Sequence, residues 1–201
     1  MTEFVINSWG KDYLKIVDFI KTNGKSVSPR WQDTIEVDML TIISKNPRER
    51  FIFPKNRNSN LAFGLREISD HICGINPGHV LRYNSKMKEY LGLSNTFVGS
   101  YASRIHLPNH NQILRVIKQL EIDPDTRRAV LAIHNPMIEE YFGRDVACTL
   151  TLTFLLREGL LNLYTSMRSS DTMKGLVYDT FEFSWIQEMI AGILGVDVGK
   201  Y

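Results

Sequence analysis

A cysteine and an arginine carry the most chemistry in this sequence. Cys148 lies in the β-prone run 147–156 and Arg168 ends a second such run, 160–168, with Arg157-Glu158-Gly159 between them as a compact hairpin turn. A turn centred on Glu158 sets Cys148 opposite Arg168, each ten residues from it. A guanidinium beside a thiol favours the thiolate, and a thiolate is a nucleophile. The plain alternative is a packed strand cysteine in phase with Leu150 and Leu152.

Neighbouring residues add anion chemistry. Arg168-Ser169-Ser170-Asp171 closes the second run with a donor-rich cluster, and Asp125-Thr126-Arg127-Arg128 opens a third run, 129–134, with two adjacent guanidiniums. Several arginines point to a phosphate. Adjacent strand residues face opposite ways, so Arg127 and Arg128 serve different neighbours unless the strand start turns both toward one anion; otherwise they are solvated charges. His106 and His110 have the four-residue spacing of a helical metal pair, but Pro108 between them argues against the helix, so no metal is expected. His71, His79 and His134 read as ordinary polar or core positions and Cys73 as a packed helix residue.

A mixed set of elements must position these groups. Leu14, Val17, Ile20 and Lys21 follow a helical rhythm that stops at Asn23-Gly24. Leu61, Leu65, Ile68 and Ile72 mark a second helix closed by Gly74 and Pro77, and Ile113, Ile117 and Leu120 a third closed at Pro124. A last helix is expected from about Asp179 to Leu194, with Phe181, Trp185, Met189 and Ile193 on one stripe, Ile186 and Ile190 beside it, and Gly195 as its stop. Alternation over 34–39 and the short run 50–53 predict two further strands. With no repeat, low-complexity stretch or linker, the reading is a single α+β domain over 1–201, its helices packed on a mixed, largely antiparallel sheet.

Composition narrows the partners. The 201 residues are 43% hydrophobic and 23% charged, which excludes a disordered, collagen-like or heptad-repeat chain. Twenty-four Lys and Arg against 22 Asp and Glu leave +2, too balanced for a protein that coats nucleic acid. No apolar run spans a bilayer, Met1-Thr2-Glu3-Phe4 does not open a secretory signal, and two cysteines are too few for a disulfide scaffold. The expectation is a cytoplasmic protein with neither membrane nor nucleic-acid partner.

Taken in order, the motifs resemble the thymidylate synthase family, and within it the pyrimidine nucleotide hydroxymethylases. Asp125-Thr126-Arg127-Arg128 with His134-Asn135-Pro136 resembles the family's D-x-R-R strand and W-N-P, and Cys148 stands where its nucleophile does. Arg168-Ser169-Ser170-Asp171, then Gly175 and Asp179, resemble the R-S-x-D segment, its glycine and the base-reading residue. Glu67 precedes Gly74 by seven residues, as the family's catalytic glutamate precedes its glycine, while Tyr101 resembles the tyrosine of V-Y-G and Arg30 the phosphate-loop arginine. The resemblance covers about Lys11 to Tyr201.

The resemblance implies a homodimeric enzyme that binds a pyrimidine nucleotide monophosphate and takes a one-carbon unit from 5,10-methylenetetrahydrofolate. Cys148 would add to C6 of the ring, Glu67 organise proton transfers and Tyr101 support removal of the C5 proton. Arg30, Arg168 and Ser169 would hold phosphate, Arg127 and Arg128 would cross to the partner's site, and Asp171 and Asp179 would meet the base. Synthases carry Asn at the position of Asp179 and His at that of Thr149, so both departures lean toward hydroxymethylases acting on cytosine nucleotides, whose exocyclic amine donates to a carboxylate. Asp179-Thr180-Phe181-Glu182 also reads as a helix N-cap followed by an acid. The family continues past Tyr201 into a sugar-holding segment and a tail over the folate, so the chain is expected to lack that part. Three functions follow: a cytidylate or deoxycytidylate 5-hydroxymethylase, a synthase methylating deoxyuridylate, or a non-catalytic nucleotide-binding relic.

Overall fold

The first strand shows the period of a half-buried edge. β1 (Thr2–Ile6) turns Phe4 and Ile6 inward and Glu3 and Val5 to solvent. The computed structural model describes residues 2–54, 59–74, 77–91, 97, 99–137 and 146–201. α1 (Trp9–Asn23) follows, burying Trp9, Tyr13, Ile16 and Val17. Leu14 of the expected stripe is exposed, because the two large aromatics set the buried face one position away.

The expected strand over 34–39 is corrected. β2 (Lys25–Val27) and β3 (Thr34–Glu36) make a short antiparallel pair at the surface that, among the described residues, touches only the end of α1 closely, with Ile35 and Met39 exposed. The strand that enters the core is β4 (Leu40–Ser44), parallel to β1 with Phe4 beside Ile42. Residues 50–53 form no strand; Arg50 and Ile52 are buried, while Phe51 and Phe53 are exposed and stack with centroids 5.7 Å apart.

α2 (Leu61–Cys73) starts where the Asn60 side chain accepts from the Phe63 amide at 3.0 Å and ends at Gly74, whose φ of 67° is the left-handed stop. Its orientation departs from expectation. Leu61 and Leu65 are exposed, and the inward face is Phe63, Gly64, Ile68, Asp70 and His71. Gly64 explains the rotation: a Cβ there would lie 3.3 Å from the Phe181 ring, so the helix approaches its neighbour through its smallest residue.

α3 (Tyr101–Ile105) leads into β5 (His106–Leu107) and β6 (His110–Asn111), so the two spaced histidines lie on a tight hairpin. α4 (Gln112–Ile122) buries Ile113, Val116, Ile117 and Leu120, as its rhythm predicts. β7 (Val130–Ala132), β8 (Thr149–Arg157) and β9 (Leu160–Met167) run antiparallel. α5 (Gly175–Leu194) crosses behind them, and β10 (Asp197–Val198) adds to β9 in parallel, giving the order β10-β9-β8-β7. Leu131, Leu152, Phe154, Leu161 and Leu163 form one apolar cluster with Val116, Leu120, Ile186 and Ile190. Each such side chain contributes roughly 1.5–3 kcal/mol of burial.

Two features of α5 differ from expectation. It begins four residues before Asp179, so Asp179 lies in its second turn and is no N-cap. Trp185 and Ile193 of the expected stripe are 39% and 56% exposed, while Phe183, Ile186, Gln187 and Ile190 are buried, because α2, α4 and the sheet enclose this helix on several sides. At the chain end Ser44 and Tyr201 exchange backbone hydrogen bonds of 2.5 and 3.0 Å, tying β4 to the segment that flanks β9.

Candidate active site

The hairpin delivers the expected pair by an unexpected route. Its turn is Glu158-Gly159, with φ of 54° and 75°, so Arg157 pairs with Leu160 and the ladder runs one residue off a turn centred on Glu158. A bulge between Thr149 and Thr151 absorbs the difference and sets Thr149 opposite Met167. The Arg168 amide then donates to the Cys148 carbonyl at 3.0 Å. The guanidinium curls back over the same strand: Nε donates to Ala147 O at 3.0 Å, Nη2 to Val146 O at 2.8 Å, and Nη2 lies 3.6 Å from Cys148 Sγ. Cys148 is half-buried, and a cation so placed stabilises a thiolate.

A second group of side chains lines up behind this thiol. The Tyr101 hydroxyl meets Thr149 Oγ1 at 3.0 Å, fixing it one residue from the nucleophile. Its ring stacks on His71, centroids 5.5 Å apart at 28°, and on Phe183 at 6.1 Å. His71 Nδ1 is bonded to the Glu182 carboxylate, and both residues are buried. Glu67 stands one turn before His71 on α2, and Asp179 one turn before Glu182 on α5. Gly175 leaves room for Asp179, since a Cβ there would come within 3.2 Å of its Oδ2.

Burial and mutual repulsion push these acids up. Burial first, then the Glu182 charge, raises Glu67 to about 8. Asp179 is raised well above its ordinary range by burial, then by Glu182 and Glu67. Burial alone would lower His71, but the Glu182 carboxylate overcomes it and holds the imidazole above its usual value. Tyr101 is raised by burial and then by Asp179.

These shifts fix how stability depends on pH. Between the ordinary 4.5 and about 8, folded Glu67 keeps a proton that the unfolded chain has lost, so stability falls as pH rises through that window. Asp179 acts in the same direction from 3.8 upward. The stabilisation from His71 is complete below 6.5 and is lost as pH passes its raised value. Thermal melts should therefore give a lower Tm at pH 9 than at pH 6, with the difference reduced in Glu67→Gln. A Tm that rises over that interval would contradict the cluster's electrostatics.

The remaining expected residues are not gathered around the thiol to the same degree. Ser169 is exposed beyond β9, and Asp171 accepts from the amides of Met173 and Lys174 at 2.7 and 3.1 Å, shaping the turn into α5. Arg30 is exposed in a 3-10 turn, Pro29–Trp31, where Arg30 and Trp31 both take positive φ, 53° and 60°. Arg127 and Arg128 are exposed beyond the start of β7. Val130 pairs with Thr153, five residues along β8 from Cys148, so within one chain the two arginines lie more than about 15 Å from it along the strand. Sequence reasoning missed His71 and Glu182. The signal available was spacing: 67 with 71 and 179 with 182 are one-turn pairs that share helix faces.

This architecture recurs in a solved structure, thermostable thymidylate synthase A of Bacillus subtilis, with a TM-score of 0.75 over 97% of this chain and 76% of that one, at 20% identity. A family model for thymidylate synthase matches residues 78–201, and the chain belongs to that family. The fold class and family expected from the motifs are thus borne out. Deoxyuridylate hydroxymethyltransferase of Bacillus phage SP01 is 32% identical over 208 residues, covering 94% of this chain and 53% of that protein. Thymidylate synthase of Bacillus licheniformis is 29% identical over 92 residues, 45% of this chain and 32% of that enzyme. The chain thus spans about half the length of the first relative and a third of the second. Among the described residues no helix is long and apolar enough to cross a membrane.

Proposed function

We propose that this chain hydroxymethylates C5 of a pyrimidine nucleotide monophosphate, with a cytosine base as its substrate. The observation that carries the reading is the Cys148 thiol 3.6 Å from the Arg168 guanidinium, beside a half-buried set of acids and a tyrosine. The Cys148 thiolate adds to C6 and pushes electron density to C5, which attacks the one-carbon unit. Tyr101, anchored on Thr149, would support loss of the C5 proton as the carbon–nitrogen bond to the donor breaks and tetrahydrofolate leaves, and water would add to the resulting exocyclic methylene to give hydroxymethyl. Sulfur then departs from C6.

The site holds a nucleophile and proton carriers but no electrophilic carbon, which fits a co-substrate that brings one. Methylenetetrahydrofolate supplies that one-carbon unit. The exposed Phe51 and Phe53 rings, which with Phe181 line an apolar cleft against α5, offer the aromatic surface that would hold its flat ring system. Arg168, Ser169 and Arg30 would take the nucleotide phosphate, with Asp171 near the base. Arg127 and Arg128, remote from their own Cys148, would serve the second site of a homodimer.

Asp179 supports the choice of cytosine. A neutral carboxyl has one donor and one acceptor, as an amide does, and pairs with either base. Only the acid can also give up its proton. N3 of cytosine is basic and O4 of uracil is not, so a proton delivered to N3 activates C6 toward the thiolate for cytosine alone. Asp179→Asn should lower kcat/KM for cytidine nucleotides by about 100-fold or more and leave uridine nucleotides little changed, read as hydroxymethyl product by mass. Equal losses on both bases would sink the assignment. The second reading is a uracil nucleotide, favoured by the name of the phage relative, and an unchanged preference for uracil before and after the substitution would establish it.

A further inference from the structure

Glu182 and His71 meet inside the protein, yet the reaction above asks nothing of either. Both are nearly sealed from solvent, at 2% and 5% exposure, and Nδ1 of the imidazole is bonded to the carboxylate. The pair bridges the two helices that carry the acids. Glu182 sits three residues after Asp179 on α5, and His71 four residues after Glu67 on α2, so each acid has one member of the pair a single helical turn away. The site is built on three further sides. The Tyr101 ring lies over His71, His106 Nε2 bonds the His71 carbonyl at 2.8 Å, and Phe183 backs Tyr101.

We propose that the His71–Glu182 pair is a positioning device that fixes a negative charge beside Asp179 and Glu67 and so keeps both in their hydrogen-donating, neutral forms. Its use in base selection rests on the function proposed above, but the electrostatic claim does not. The groups that face this pair are Glu67 and Asp70 from α2, Tyr101 from α3, Asp179 from α5 and Tyr201 from the chain end, with Cys148, just before β8, acting on Tyr101. Asp70 is itself held by Arg66 at 2.5 Å. At Glu67 and at Asp179 the Glu182 carboxylate acts more strongly than the His71 imidazole, so the pair presents its negative end to both acids. His71 supplies the bond that anchors the carboxylate in a place where an unpaired charge would be costly.

The test is a carbon-13 titration of the aspartate carboxyls in the whole chain, with the Asp179 signal assigned by its loss in Asp179→Asn. In Glu182→Gln the Asp179 midpoint should fall by about one pH unit or more, and Glu182→Asp, which keeps the charge, should restore most of it. An Asp179 midpoint that does not move in Glu182→Gln overturns the proposal. Should Glu182→Gln fail to fold, the same titration of the unaltered protein decides: the Asp179 midpoint should lie well above the ordinary aspartate value, and a midpoint at or below that value overturns the proposal. In parallel, the basic limb of kcat/KM for deoxycytidylate should shift down with the carboxyl midpoint. A moved midpoint in a protein without turnover on any pyrimidine nucleotide supports the device and refutes the function, whereas turnover with an unmoved midpoint does the reverse.

Discussion

Cys148→Ser should lose hydroxymethyl product formation by about 1,000-fold or more while folding normally, because a serine hydroxyl beside a guanidinium is still far from ionised at neutral pH. The substitution is mild for the structure. Cys148 is half-buried, its backbone keeps the carbonyl bond to the Arg168 amide, and the serine oxygen can accept from the same guanidinium. A change in Tm within a few degrees is expected for so conservative an exchange. Turnover by mass and melting by circular dichroism separate the two effects, and product formation near the wild-type rate would refute the nucleophile.

Arg168→Ala should have the next largest effect and should act twice. It removes the cation 3.6 Å from Sγ, and it releases the Ala147 and Val146 carbonyls that Nε and Nη2 satisfy. The first loss should slow alkylation of Cys148 by iodoacetamide at pH 7 by about tenfold, since less of the thiol is ionised. The second should destabilise the protein by about 1 kcal/mol, chiefly through the part-buried Ala147 carbonyl, because the Val146 carbonyl is open to water. Arg168→Lys distinguishes these roles. A lysine keeps the charge but not the planar fork, so alkylation should recover more than stability does. Alkylation that is equally fast in all three proteins would contradict a guanidinium-activated thiol.

The parts of this site that were legible in sequence are those governed by local periodicity. The two strands of the hairpin alternate, a glycine closes the turn, and the cysteine and arginine are equally far from it. Even so, the pairing holds only because a bulge at the far end of β8 cancels a one-residue error in the turn, and nothing in the alternation announces a bulge. The acid cluster was not legible as a cluster. Leu61 and Leu65 suggested a buried face for α2 that would have left Glu67 on its flank, whereas Gly64 against Phe181 rolls the helix and brings Glu67 and His71 inward. The Asp179-to-Glu182 stretch resembled a helix start because its spacing matches a capping box, but the helix had already begun at Gly175. Long-range packing also decided β4, whose apolar run waits for β1, a strand too near the N-terminus to stand out.

The central claim is a covalent bond between Cys148 sulfur and C6 of a nucleobase, and intact-protein mass spectrometry reads that bond directly. The protein is incubated with 5-fluorodeoxycytidylate and methylenetetrahydrofolate, where fluorine at C5 blocks the step that would free the sulfur. The expected result is a mass gain of nucleotide plus donor, mapped by digestion to the peptide that contains Cys148 and absent in Cys148→Ser. Nucleotide retained by the protein with no mass gain, or an adduct on any other residue, would contradict the account.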